Sequence, residues 1–261
     1  MKKLVLSFVM VVILVTMLMG TSFAGSQFIK VNANDSTVVV NYDSTDYSIF
    51  KVGITKGSST YYYNLTSNNE VYPLQMGNGN YSVTLYKNVS GNSYKSVTSK
   101  KFNLNASENT VFLSSSQNVS WSTDSMAVKF AERLTEDLDT DEEKFYAIYD
   151  YVVSNISYDY RKAYQIKTGY LPTPDSTLSD GKGICYDYSS LLAVMLRSQD
   201  IPTKLVMGSS THTNAYHAWN EVYLNGEWST VDTTFDASGF QSNPSKSFAK
   251  DINDYDAQKF Y

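Results

Sequence analysis

Apolar and polar positions alternate along the first part of the chain. Phe50, Val52 and Ile54 alternate with Lys51, Gly53 and Thr55, and Tyr81, Val83 and Leu85 with Ser82, Thr84 and Tyr86. A period of two sends successive side chains to opposite faces of a strand. Turn-forming clusters punctuate these runs, among them Gly77-Asn78-Gly79-Asn80 and Ser90-Gly91-Asn92. Short strands with turns roughly every 8–12 residues predict an all-β, immunoglobulin-like antiparallel sandwich of about seven strands over residues 25–115. The stretch carries no ligand-grade cluster of His, Asp or Glu. It reads as a spacer or a binding module.

The period changes after Ser114-Ser115-Ser116. Met126, Phe130, Leu134 and Leu138 recur every fourth residue, the stripe of an amphipathic helix. Thr140 and Glu143 form the capping box of a second helix, whose apolar face is Phe145, Ile148, Tyr149, Val152 and Ile156. Tyr158-Asp159-Tyr160 ends it, and a loop with Pro172 and Pro174 leads to Gly181-Lys182-Gly183-Ile184-Cys185. A helical run follows, striped by Leu191, Leu192, Met195 and Leu196 and stopped by Asp200-Ile201-Pro202. Two strands then flank Asn225-Gly226, a strong signal for a two-residue hairpin. Helices followed by a sheet give an α+β domain over residues 120–261.

The N-terminus has its own pattern. Met1-Lys2-Lys3, an apolar run from Leu4 to Met19 and small residues at Ser22 and Ala24 predict a signal peptide, residues 1–24. The same run approaches the lower limit for a spanning helix and could stay as an anchor. No later run is long and apolar enough to span, so the expected product is secreted or on the cell surface, with no membrane contact once the signal is removed. A net charge of −5 argues against a nucleic-acid partner. Twenty-two tyrosines among many Ser, Asn and Thr fit a wet extracellular surface.

The chain has one cysteine. It cannot serve an internal disulfide, so it is either an inert buried residue or a chemical one. Gly181 and Gly183 deliver Cys185 to a helix start, where free amides and the helix dipole stabilise a thiolate. The same amides can receive the oxyanion of a tetrahedral intermediate. A nucleophile also needs a base. His217 sits on a strand with Trp219, Glu221 and Tyr223 on its face. A two-residue hairpin puts Trp219 opposite Asp232 and His217 opposite Thr234, which makes Asp232 the diagonal neighbour of His217. Such neighbours lie about 7–8 Å apart at Cα, close enough for the side chains to meet. A lone strand histidine is more often structural, but the chain has only two histidines, and one faces this carboxylate. The other, His212, lies in a Ser/Thr loop and reads as solvated. Trp219, Trp228 and Tyr216 read as core or cleft wall. The acidic tail at Asp251, Asn253, Asp254 and Asp256 lacks the Gly of a calcium loop and reads as a solvated face. No metal or cofactor is required.

The ordered set Gly181-Lys182-Gly183-Ile184-Cys185, Asp200-Ile201-Pro202, His217-Ala218-Trp219-Asn220-Glu221-Val222-Tyr223, Asn225-Gly226-Glu227-Trp228 and Asp232 resembles the transglutaminase-like superfamily, over about Asp124 to Asp236. The resemblance implies a papain-like core in which the Cys helix packs on a sheet carrying His and Asp. It implies an acyl-thioester mechanism with Cys185 as nucleophile, His217 as base and Asp232 as orienting carboxylate. Tyr158 falls where the family often has an aromatic. Two positions depart: Asp200 replaces the family's usual Gly before Ile-Pro, and Thr233 replaces the Pro after the Asp, which should leave that strand end less rigid. Water attacking the thioester gives a cysteine protease or amidase, and a lysine amine gives a transglutaminase that crosslinks Gln to Lys. A catalytically silent cell-surface binding protein is the third reading. The expected partner is a protein or peptide substrate, including cell-wall peptide, and the expected reaction is hydrolysis.

Overall fold

The computed structural model describes residues 28–107, 109–239 and 248–261. The leader read at residues 1–24 lies outside them. Seven strands occupy the first part: β1 (Ile29–Asn32), β2 (Thr37–Val40), β3 (Phe50–Lys56), β4 (Ser59–Asn64), β5 (Glu70–Pro73), β6 (Gly79–Ser90) and β7 (Ser93–Leu104). They form two antiparallel sheets, ordered β1-β2-β5 and β4-β3-β6-β7. The alternation read from sequence sets which face is buried: Phe50, Val52, Ile54, Tyr81, Val83 and Leu85 all join one apolar core with Ile29, Val38 and Tyr72 of the other sheet.

A second core is built around a single helix. Its elements are α1 (Met126–Thr135), α2 (Asp141–Asn155), β8 (Ser157–Tyr158), α3 (Tyr160–Gln165), α4 (Pro174–Asp180), β9 (Lys182–Gly183) and α5 (Cys185–Arg197). Then come β10 (Thr203–Ser210), β11 (Thr213–Leu224), β12 (Glu227–Val231), α6 (Thr233–Gly239) and β13 (Tyr255–Phe260). The sheet order is β12-β11-β10-β13. Helix α5 packs on β11 and β10 with one side and on α1, α2 and α4 with the others. Every residue from Asp187 to Arg197 is therefore buried, not only the predicted stripe. A helix buried around its whole circumference is a central helix.

Thr140 and Glu143 do form the capping box of α2. On α1 the deepest face is Ala127, Val128, Ala131 and Thr135, while Met126 is exposed, because small residues let α1 approach α2 and α5 closely. Leu138 lies beyond α1. Pro174 does not belong to a loop: it opens α4, where its fixed φ suits the first turn. The chain after α2 also continues, as β8 pairs in parallel with β9.

Candidate active site

Glycines shape the approach to Cys185. Gly181 ends α4 with φ of +62°, a conformation that disfavours side chains. At Gly183 a Cβ would lie 2.6 Å from the Asp187 Cβ, so only glycine lets the chain turn this tightly into α5. Cys185 then stands in the first turn of α5, half-buried. The backbone N–H groups of such a turn have no partner within the helix. Asp187 is fully buried two residues on, where its charge would oppose a thiolate. It accepts the Ile184 N–H at 2.9 Å and pairs with Lys162 Nζ at 2.7 Å, and it takes the Tyr170 hydroxyl. Lys162 thus offsets the negative charge beside the helix start.

His217 reaches the same cleft from β11. The hairpin register runs from Leu224↔Glu227 to Asn220↔Val231, with Asn225 and Gly226 at φ of +53° and +89°. β12 ends one residue short of Asp232, so the predicted His217–Thr234 pairing does not form. His217 pairs across the sheet with Gly208 of β10 instead. Asp232 nevertheless lies on the His217 side of the sheet: His217 Nε2 lies 2.7 Å from Asp232 Oδ2. Both residues are buried, Asp232 completely. The His217 ring stacks beside Trp219, whose indole is core.

Asp232 is held more firmly than the sequence indicated. Thr233 begins helix α6, and Asp232 Oδ1 accepts the Phe235 N–H at 3.0 Å in the manner of a helix cap. The expected loose strand end is therefore corrected to a capped helix start. Asp236 anchors α6 from within, accepting the Tyr149 hydroxyl at 2.8 Å and pairing with Lys250 at 2.8 Å. Tyr255, which no sequence pattern singled out, donates its hydroxyl to Asp232 Oδ2 at 3.0 Å. Its strand β13 reads Tyr-Asp-Ala-Gln-Lys-Phe, where only the two ends are large and apolar, so periodicity gave little signal.

The electrostatics favour a charged imidazole. Burial opposes protonation of His217. The Asp232 hydrogen bond, and a negative sulfur at Cys185 acting both by hydrogen bonding and by charge, outweigh it and raise the pKa from 6.5 to about 10. Because Nε2 is committed to Asp232, Nδ1 is the nitrogen left for the thiol. Burial raises the Tyr158 phenol, and the Cys185 charge adds to the effect, which places that ring within the influence of the sulfur.

Cys185, His217 and Asp232 line one open cleft of about 650 Å³, walled by Tyr158, Tyr160, Tyr188 and Phe235. Tyr216 is 55% exposed on its rim. His212 is not a solvated loop residue: it stacks on Phe235 at 4.2 Å between centroids and lies 3.8 Å from Asp254. Asp254 in turn accepts the Thr211 hydroxyl at 2.9 Å, so part of the acidic tail is engaged at the cleft lip.

Residues 128–233 match the family model of the transglutaminase-like superfamily. An archaeal relative, UPF0252 protein MJ1282 of Methanocaldococcus jannaschii, is 28% identical over 42% of this chain, which spans 31% of that relative's length. A candidate cysteine protease from Cytophaga hutchinsonii is 16% identical, with a TM-score of 0.43 over 76% of this chain and 71% of that one. The periplasmic domain of TgpA from Pseudomonas aeruginosa is 13% identical, with a TM-score of 0.39 over 78% and 70%.

Proposed function

Since residues 128–233 match the transglutaminase-like superfamily, we propose that this protein is an exported cysteine protease or amidase, with Cys185 as nucleophile, His217 as general acid and base, and Asp232 as the carboxylate that orients the imidazole. The observation that carries the reading is the buried His217–Asp232 pair at 2.7 Å beside a half-buried cysteine at a helix start.

In the resting enzyme the Cys185 proton resides on His217 Nδ1. The sulfur attacks the amide carbonyl carbon, and the oxyanion is received by the free N–H groups of the α5 first turn. His217 gives its Nδ1 proton to the leaving nitrogen, the C–N bond breaks and a thioester remains. His217 then takes a proton from water, whose oxygen attacks the thioester carbon. The C–S bond breaks and the thiolate–imidazolium pair returns. The open cleft supports water as the second nucleophile, since a lysine amine would need shelter from competing solvent.

In this reading the first 24 residues direct export, and the two N-terminal sheets are an immunoglobulin-like spacer or binding module. No helix among the described residues is long and apolar enough to cross a membrane. The substrate class is protein or peptide, including cell-wall peptide. The test is mass spectrometry of a peptide pool incubated with wild type and with Cys185→Ala, with and without an added amine. Shortened peptides dependent on Cys185 support hydrolysis. Amine adducts in place of shortened peptides would make the enzyme a crosslinking one, and no Cys185-dependent product would refute the assignment.

A further inference from the structure

The four strands of the larger N-terminal sheet, β4-β3-β6-β7, carry six lysines and no Asp or Glu. The chain as a whole has a net charge of −5, so the sheet is basic against that background; Lys56 and Lys100 bond Met76 O and Ile29 O on the core side, and Lys51 and Lys101 are the lysines that share the outer face. One face of the sheet is committed to the core; the other faces out. Register fixes what the outer face displays. Gly53 pairs with Tyr62 on one side and Thr84 on the other, and Lys51 pairs with Tyr86. Thr84 and Ser82 pair in turn with Ser99 and Lys101. Between Lys51 and Lys101 the face therefore carries glycine, hydroxyl, amide and tyrosine side chains.

The tyrosines are arranged about Gly53. A Cβ there would stand 2.8 Å from the Tyr86 ring and 3.2 Å from the Tyr62 ring, so the two rings lie down over the missing side chain. Their centroids are 6.3 Å apart. Shielding of a glycine backbone accounts for Tyr86. It uses only one edge of Tyr62, which stays 64% exposed. Lys51 holds its ammonium 5.2 Å from the Tyr94 ring, a cation fixed beside an aromatic surface. Around the rings, Thr84 and Ser99 share a hydrogen bond at 2.9 Å, as do Thr55 and Thr60.

An exposed tyrosine ring, neighbouring hydroxyls and two lysines together fit one kind of ligand. The C–H face of a pyranose stacks on an aromatic ring, its hydroxyls exchange hydrogen bonds with Ser and Thr, and a carboxylate on the sugar meets lysine. We propose that this outer face binds a carboxylate-bearing polysaccharide. The site would hold the catalytic cleft close to a glycan-rich surface, and it stands whether or not the cleft hydrolyses peptides.

The test compares retention of the protein on immobilised polygalacturonate, dextran and polyglutamate at ~0.15 M salt, where charge alone is largely screened. Retention on polygalacturonate is expected to exceed that on either other polymer at least tenfold. Tyr62→Ala should weaken it about tenfold, the loss of one stacked ring. Tyr62→Phe should keep it, and Lys51→Ala with Lys101→Ala should lower it. Equal retention on polyglutamate would reduce the effect to charge, and equal retention on dextran would remove the carboxylate from the account. Either result, an unaffected Tyr62→Ala protein, or no retention on any polymer overturns the proposal.

Discussion

Tyr255 and His217 share one oxygen: Asp232 Oδ2 accepts the tyrosine hydroxyl at 3.0 Å and lies 2.7 Å from the imidazole Nε2. Tyr255 comes from an edge strand of the sheet, so that strand fixes the direction in which Asp232 points. Tyr255→Phe removes a buried hydrogen bond to a charged group and is expected to cost about 1.5–3 kcal/mol of stability. With the carboxylate freer to rotate, turnover should fall about tenfold through kcat while KM holds. Urea melts and steady-state kinetics on the folded variant check both.

The His217–Asp232 pair also sets a pH dependence. The folded-state pKa of His217 is raised to about 10 from 6.5. A raised folded pKa means the native state binds its proton more tightly than the unfolded chain does. That stabilisation is full below pH 6.5 and is lost as pH climbs towards about 10. Thermal melts of the wild type should therefore decline across this window. Asp232→Asn, which removes the main partner of the imidazolium, should flatten the decline. Parallel slopes for the two proteins would contradict the pairing.

Asp200 sits at φ of +62°, where glycine is at ease and an L side chain is strained. The helix α5 ends there in a Schellman turn, with the Ile201 N–H bonding Leu196 O and the Asp200 N–H bonding Arg197 O, each at 3.1 Å. This geometry gives the family's glycine a reason, and it predicts that Asp200→Gly stabilises the protein by about 1 kcal/mol. A shifted urea midpoint with unchanged slope is the readout.

Arg197 is fully buried and has no acidic partner among the described residues. Its guanidinium donates to Thr203 O at 2.8 Å, Ser114 O at 2.6 Å and Tyr261 O at 2.7 Å, and burial lowers its pKa to about 9. It ties the central helix to the segment leading out of the first core and to Tyr261, the residue after β13. Lysine keeps the charge but cannot reach three carbonyls. Arg197→Lys is expected to cost about 3 kcal/mol, measured by denaturant unfolding.

What was legible in the sequence was local. A two-residue hairpin fixes which side chains share a face, so Asp232 could be paired with His217 across 15 residues. The capping box of α2 and the alternation of β3 and β6 are likewise written within a few positions. The unread parts depend on distant chain. Tyr255 meets Asp232 across 23 residues and a poorly patterned strand. Lys162 meets Asp187 from a short helix that follows no apolar stripe. Of the α1 stripe, Phe130 and Leu134 do pack against the core, but close packing favours Ala127 and Ala131 over the larger Met126, a preference that hydrophobicity alone does not reveal. α6 is hidden in the sequence because Asp232 serves both as its cap and as the histidine partner, and one residue carries both signals.

The central claim is that Asp232 and His217 maintain a reactive thiolate at Cys185, and alkylation kinetics measure this without any knowledge of the substrate. The rate of Cys185 carboxamidomethylation by limiting iodoacetamide at pH 6 should exceed that of the urea-unfolded chain by at least about tenfold, since only the thiolate reacts. Asp232→Asn and His217→Ala, shown to be folded, should lose that advantage. Folded wild type that labels no faster than the unfolded chain, or an Asp232→Asn protein that labels as fast as wild type, would contradict the account.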